Sequence, residues 1–414
     1  MMRVDSDRLQ SDFDQLAQFG AFTDGEGHAG VNRPALSAAH LEARQWFLAR
    51  AAEAGLETRV DAAGNHSAIL PGGSAAARTL LLGSHLDSVP NGGRYDGALG
   101  LLAGLECLRV IKEAGLVLPV HLEAIDFTDE EGTLVGELGS GALAGTLSPG
   151  MLRQPRGGRQ HLLDSLARAG LDEARLNDAR RDPAGLAGFL ELHIEQGPRL
   201  EHAGVDIGVV TAIVGITSYR LTYRGAANHA GTTPIRARHD AGVGAAAFLL
   251  AVRERVLSDF PDGAVNIGQM RFEPGAYNIV PGAAEFALEF RAPDAAGLSE
   301  MDHVLLRLAE KVGREHGLSL EREALGGCAP AGMGARAQAA IAAAAGELGL
   351  SYTDLVSGAG HDGQNLAPLT EAGMVFIPSR AGVSHSPREF SEWGDCVNGA
   401  NVLLNAALRL AEEA

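Results

Sequence analysis

Thr79-Leu80-Leu81-Leu82-Gly83-Ser84-His85-Leu86-Asp87-Ser88 reads as an apolar strand that runs into a short stretch of polar, chemically capable side chains. A continuous apolar run of this length suits a strand covered on both faces, as in a parallel sheet. Residues after Gly97 are patterned as a helix up to Gly115, and a second strand is expected near Val117 to Phe127. This strand–helix–strand rhythm predicts an α/β fold with a mixed, mostly parallel sheet and flanking helices. In such sheets functional groups collect beyond the carboxyl ends of the strands, which singles out His85 and Asp87. In an extended segment the two side chains point the same way. The Asp87 carboxylate is therefore expected to fix the tautomer of the His85 ring.

Working outward, Leu9, Phe13 and Leu16 recur at helical spacing before Gly20, and a second helix is expected from about Ser37, placed to cap it, to Gly55. From about Asp206 to Ala324 the texture changes. Tyr219, Leu221 and Tyr223 alternate with Arg220, Thr222 and Arg224; Ala241 to Leu257 reads as a helix; Phe286, Leu288 and Phe290 alternate again; Leu298 to His316 reads as a helix. That order suits a small two-layer α+β insertion. The expected organisation is a discontinuous catalytic domain, residues 1–206 and 325–414, interrupted by a lid-like domain at 207–324.

A chain of 414 residues exceeds the usual size of one core, so two domains are expected. The formal net charge of −18 argues against nucleic acid, whose phosphates need clustered Lys and Arg. It also means that an anionic substrate needs local positive charge, from arginine or metal. Cys107, Cys328 and Cys396 are widely spaced, so neither a disulfide framework nor a cysteine zinc site is expected. The polar, acidic N-terminal stretch and the lack of any run of 18 apolar residues predict neither a signal peptide nor a membrane span, and hence the cytoplasm.

Four further polar segments carry the chemistry. Asp96 lies in Gly92-Gly93-Arg94-Tyr95-Asp96-Gly97, where glycines let the backbone turn and bring a carboxylate close to a bulky neighbour; a helix N-cap is the plainer reading. Asp126-Phe127-Thr128-Asp129-Glu130-Glu131 puts four carboxylates at the end of the second strand, either as a solvated turn or as a metal ligand beside a proton-transferring neighbour. His193, in Glu191-Leu192-His193-Ile194-Glu195-Gln196, and His385, in Val383-Ser384-His385-Ser386-Pro387, both follow expected strands. Three His, one Asp and one Glu form a donor set suited to two divalent cations, Zn²⁺ first, with Mn²⁺, Co²⁺ or Ni²⁺ as alternatives. Five ligands with one bridging carboxylate is the stoichiometry of a two-metal site.

These segments resemble the M20 metallopeptidase-like superfamily, and within it the hydantoinase/carbamoylase branch. The matching stretches are GSHLDSVPNGGRYDGALG, DEEG, ELHIEQGP, GAANHAGTTP, YNIVPG, SGAGHDGQ and VFIPSRAGVSHSP, in family order from Gly83 to Pro387. ELHIEQG and GAGHD separate this branch from ordinary M20 peptidases. The resemblance implies a zinc-exopeptidase-like catalytic domain with an inserted lid, and homodimerisation through that lid. It implies that His85, Asp96 and His193 hold one metal and Asp96, Glu131 and His385 the other, with Asp96 bridging. Glu130 would be the general base and then acid, a choice over Glu131 that spacing alone does not make. Asp87 would steady His85.

For the substrate, the resemblance implies that His229, in Asn228-His229-Ala230-Gly231, stabilises the oxyanion, in the family at the neighbouring subunit's site. Gln196, Asn278, Gly360 and His361 would contact the substrate, and Arg291 would clamp its carboxylate. The alternation Phe286, Leu288, Phe290 independently leaves Glu289 and Arg291 on the other strand face. A guanidinium fork is the natural bidentate partner of a carboxylate. The implied reaction is attack of metal-bridged hydroxide on the carbamoyl carbon of an N-carbamoyl-L-amino acid or β-ureido acid. Allantoate or ureidoglycolate amidohydrolase is the nearest alternative, then N-acyl amino acid deacylase or dipeptidase. A catalytically silent binding or association protein would lack Glu130 or a ligand, and none is missing. The stretch Phe290-Arg291-Ala292-Pro293-Asp294, and Gly363 after Asp362, depart from the branch's commonest forms and leave the substrate open.

Overall fold

The computed structural model describes residues 1–413. It contains two compact units: Met1–Thr211 together with the chain from Met333 onward, and Ala212–Gly332. These limits lie a few residues inside and beyond 207–324. Strand Ile207–Ile213 pairs with Ala372–Ile377 of the large sheet, whereas strand Ser319–Cys328 is paired along its length in the small one.

The large sheet has the spatial order Ile207–Ile213, Ala372–Ile377, Leu186–Ile194, Thr79–His85, His121–Phe127, His66–Leu70, Glu57–Val60, and Tyr352–Ser357 also pairs with Ile207–Ile213. The four strands from Ala372–Ile377 to His121–Phe127 are mutually parallel, and Ile207–Ile213 against Ala372–Ile377, His121–Phe127 against His66–Leu70, and His66–Leu70 against Glu57–Val60 are antiparallel. Alternation decides which side meets the helices. Leu80 and Leu82, Leu122 and Ala124, Leu190 and Leu192, and Val375 and Ile377 join one apolar cluster with the helices Ala98–Glu113, Ala335–Leu348 and Trp393–Glu412. Every residue of Leu186–Ile194 is buried, as expected of a strand covered on both faces. The helix Ala38–Glu53 begins where expected, with the Ser37 side chain accepting the His40 amide. Short helices between residues 138 and 185, which the apolar pattern does not announce, cover a separate cluster around Leu134, Leu138 and Leu162.

The smaller unit has a four-stranded antiparallel sheet, in the order Ala264–Glu273, Ala283–Ala292, Gly215–Arg224, Ser319–Cys328. The helices Ala241–Asp259 and Ala295–Glu315 pack on it around Leu221, Tyr223, Phe248, Phe286, Leu288 and Phe290. The Tyr223 hydroxyl is kept satisfied by donating to the Ala309 carbonyl at 2.7 Å. Among the described residues no helix is long and apolar enough to cross a membrane.

Candidate metal centre

Parallel strands bring the candidate ligands together because their carboxyl ends share one edge. His85 is the last residue of Thr79–His85, and His193 is the penultimate residue of Leu186–Ile194. His85 Nδ1 donates to the carbonyl of Asp87 at 2.9 Å, and His193 Nδ1 donates to the carbonyl of Ile194 at 2.8 Å. A neutral imidazole that donates through Nδ1 presents a lone pair at Nε2. Both Nε2 atoms face Asp96 Oδ1, at 3.4 Å from His85 and 3.0 Å from His193. The other oxygen, Asp96 Oδ2, faces His385 Nε2 at 3.5 Å, and that nitrogen is 3.3 Å from Glu131 Oε2.

Donor atoms of His85, Asp96 and His193 therefore lie within 4.8 Å of one another, as do those of Asp96, Glu131 and His385. Asp96 divides its oxygens between the two groups. The first group is almost wholly buried, and His85 Nε2 has no hydrogen-bond partner. Imidazole nitrogens set against carboxylate oxygens call for positive charge between them, a shared proton or a metal ion, and the two three-donor groups that share Asp96 fit a pair of cations.

The electrostatics point the same way. Burial alone would lower the His85 ring, but the charges of Glu130 and Asp96 lift it well above the usual histidine range. Burial would raise Asp96, but His193 and then His85 outweigh it and hold the carboxyl well below the usual range. Glu130 Oε2 lies 3.5 Å from His85 Nε2. Its carboxyl is pushed well above the usual range, by burial first, against the pull of His85 and with the negative charges of Asp362, Glu131 and Asp96 adding to the rise. Burial and the charge of Asp96 likewise raise Glu131.

Asp87 takes a different post from the expected one. The chain turns after His85, so it is the backbone carbonyl of Asp87, not its carboxylate, that holds the ring. The carboxylate instead accepts the backbone amides of Glu130 and Glu131, at 3.3 and 3.2 Å. The acidic turn is not solvated: Asp126 and Asp129 are fully buried, and Asp129 accepts the amides of Leu134, Val135 and Gly136. Nor does Asp96 cap a helix, since the Ala98–Glu113 helix starts from Gly97 without any side-chain cap.

Gly97 has φ +65° and ψ −51°, and a Cβ there would stand 2.4 Å from His85 Cε1. Both the backbone conformation and the contact require glycine. Gly97→Ala is expected to weaken metal uptake by about 10- to 100-fold, the usual effect of disturbing a ligand's support. Calorimetric titration of the apoprotein checks this, and an unchanged affinity would remove the contact from the account.

Of the expected substrate residues, Gln196 and His361 sit at the cluster. Gln196 Nε2 donates to Asp96 Oδ2 at 2.7 Å. His361 Nε2 pairs with Ser357 Oγ at 2.9 Å, and its ring stands edge-on to His193 with centroids 4.5 Å apart. Gly360 lies beside the Glu137 carboxylate, 3.2 Å from the place a Cβ would take.

His229, Asn278 and Arg291 belong to the smaller unit. His229 Nδ1 accepts the amides of Gly231 and Thr232 at 3.0 and 3.1 Å, so a neutral ring carries its proton on Nε2, as a donor. The carbonyl of Asn278 accepts the Ala230 amide at 3.0 Å beside it. Arg291 donates through Nε and Nη2 to Glu289 Oε1, at 3.0 and 2.8 Å.

Two supports carry no local signal in the sequence. The buried pair Arg44–Asp126 ties the two strand ends together: Asp126 Oδ2 accepts Arg44 Nε at 2.6 Å while Oδ1 accepts the Leu86 amide at 2.8 Å. Glu389 does the same for the Asp96 loop, accepting the amides of Tyr95 and Asp96.

Residues 81–409 match the model of peptidase family M20/M25/M40, and the chain belongs to that family. It is 37% identical over 411 residues to an N-carbamoyl-L-amino acid amidohydrolase of Geobacillus stearothermophilus, covering 99% of each chain. An allantoate amidohydrolase of Bacillus subtilis is 34% identical, with 96% of this chain and 95% of the relative covered. A crystallised amidase of the hydantoinase/carbamoylase family from Burkholderia multivorans superposes with a TM-score of 0.89 at 34% identity, over 99% of this chain and 98% of that one. The chain is thus a hydrolase of the amidohydrolase kind, with the mixed α/β fold expected of it.

Proposed function

We propose that this chain hydrolyses N-carbamoyl-L-amino acids with the help of two divalent cations. The observation that carries the metal reading is the pair of imidazole lone pairs, at His85 and His193, set against one oxygen of Asp96 while the other faces His385. The substrate reading is supported by the Geobacillus relative, similar from end to end.

His85, Asp96 and His193 would hold one cation, and Asp96, Glu131 and His385 the other. Bound there, the pair would polarise the carbamoyl oxygen and make a nucleophilic oxygen available near neutral pH. Glu130, placed beside His85, takes a proton from the attacking water and returns it to the departing amino acid nitrogen. The bond formed is oxygen to carbamoyl carbon, and the bond broken is that carbon to the amino nitrogen. The carbamate released decomposes to CO₂ and ammonia. The Nε2–H of His229 suits a developing oxyanion, and the Arg291 guanidinium suits the substrate carboxylate once it exchanges Glu289 for it. Association through the smaller unit and a cytoplasmic location belong to the same reading.

The Bacillus relative favours allantoate as the second candidate, and the metal reading proposed here is the same for either substrate. A panel of N-carbamoyl-L-amino acids, allantoate and a dipeptide, assayed on metal-reconstituted protein, separates the two. Prolonged chelation is expected to abolish turnover and Zn²⁺, Mn²⁺ or Co²⁺ to restore it; full activity in a metal-free sample would sink the metal reading.

A further inference from the structure

Asp96 and His385 reach one another from opposite ends of the chain, each on a loop rather than a strand. His385 follows a one-turn helix, has φ +54° and is half exposed, so little of its own element holds it in place. Glu389 is 5% exposed and lies beneath both loops. Its Oε1 accepts the amides of Tyr95 and Asp96 at 2.9 and 3.1 Å, and its Oε2 accepts the Ser384 hydroxyl at 2.8 Å. The same hydroxyl oxygen is 3.0 Å from Asp96 Oδ2, the oxygen that faces His385. Room for the carboxylate comes from Gly93, where a Cβ would stand 2.1 Å from Glu389 Oε1. A hydroxyl has one proton to give. Once Asp96 Oδ2 is committed to a cation, Glu389 is the acceptor that keeps Ser384, and with it His385, at its station.

We propose that Glu389 is a positioning residue that joins the Asp96 loop to the His385 loop through Ser384 and so sets the affinity for the second cation, held by Asp96, Glu131 and His385. The proposal rests on the two-metal reading above. Asp96 serves both cations, but the other two ligands of the first, His85 and His193, are held by their own strands and carbonyl contacts. The larger effect therefore falls on the second, where His385 depends on the same tie.

The test titrates apoprotein with Co²⁺, following heat and visible absorption, so that the two binding steps are read separately from turnover. Wild type is expected to take up two equivalents. Glu389→Ala should weaken the second step by about 10- to 100-fold while the first moves by a clearly smaller factor, through Asp96 alone. Ser384→Ala should weaken the same step by about tenfold, and the double variant should be no worse than Glu389→Ala alone. Glu389→Gln keeps an acceptor for the two amides and should lie nearer wild type. Equal weakening of both steps, an unchanged second step, or additive effects of the two alanines would overturn the proposal. If Glu389→Ala fails to fold, Ser384→Ala and Glu389→Gln still decide it. A wild-type chain that binds no second equivalent would overturn the metal reading and this inference together, whereas normal wild-type loading with unperturbed variants would overturn this inference alone.

Discussion

Glu130→Gln is expected to retain both cations and to lose about 10²- to 10⁴-fold in turnover, the usual contribution of a placed acid–base group. The substitution keeps size and shape and removes only the ability to carry a proton. The loop should stay in place, because the Glu130 amide is held by Asp87 Oδ1 and the Glu131 amide by Oδ2, neither of which involves the substituted atoms. Removing one negative charge from the neighbourhood of Glu131, Asp96 and Asp362 also relieves repulsion, so the variant should unfold no more readily than wild type. Metal content by elemental analysis and turnover on the preferred substrate read the two halves separately. Wild-type turnover would sink the assigned base; loss of a metal equivalent would make Glu130 a ligand instead.

The second large effect is on stability. Arg44→Ala is expected to cost about 3–5 kcal/mol, because it leaves the Asp126 carboxylate buried without its cation. Burial already pushes that carboxyl up, and Arg44 is the main charge pulling it back. The guanidinium also donates from Nη2 to the Phe127 carbonyl and to Thr128 Oγ1, at 3.2 and 2.9 Å, so the turn leading to Glu130 and Glu131 loses its anchor as well. An apolar replacement of both partners would not restore the tie, since Asp126 Oδ1 also takes the Leu86 amide. Urea unfolding of the apoprotein measures the loss, and a change below about 1 kcal/mol would show that the pair is not a structural tie.

Much of the sheet could be read from the chain because its central strands are apolar on both faces and end abruptly in polar groups. Thr79–His85 and Ala372–Ile377 announce themselves in this way, and so do His85 and His193 at the strand ends. The candidate ligands were legible as residue types in strand-end loops, although their grouping into two sets came from family motifs rather than from spacing. What stayed hidden depends on distant partners. Nothing local marks Arg44 or Glu389, since each matters only through a loop 82 or about 290 residues away. Alternation points the Asp87 carboxylate toward His85, but alternation holds only while the strand continues, and this one stops at His85. Arg291 is legible as a residue on the wetter strand face, but alternation alone does not pair it with Glu289, two positions along the same face.

The order of the ligands along the chain bears on how the centre is built during synthesis. His85, Asp96 and His193 emerge together in the first half of the polypeptide, whereas His385 arrives only after the whole of Ala212–Gly332 has been made. On the two-metal reading proposed above, a nascent chain holds one complete candidate trio long before the other, and early capture of a single ion is the expected route to the pair. Fragments ending shortly before strand Ala372–Ile377 should bind at most one equivalent; two would show that completion does not wait for the carboxyl terminus.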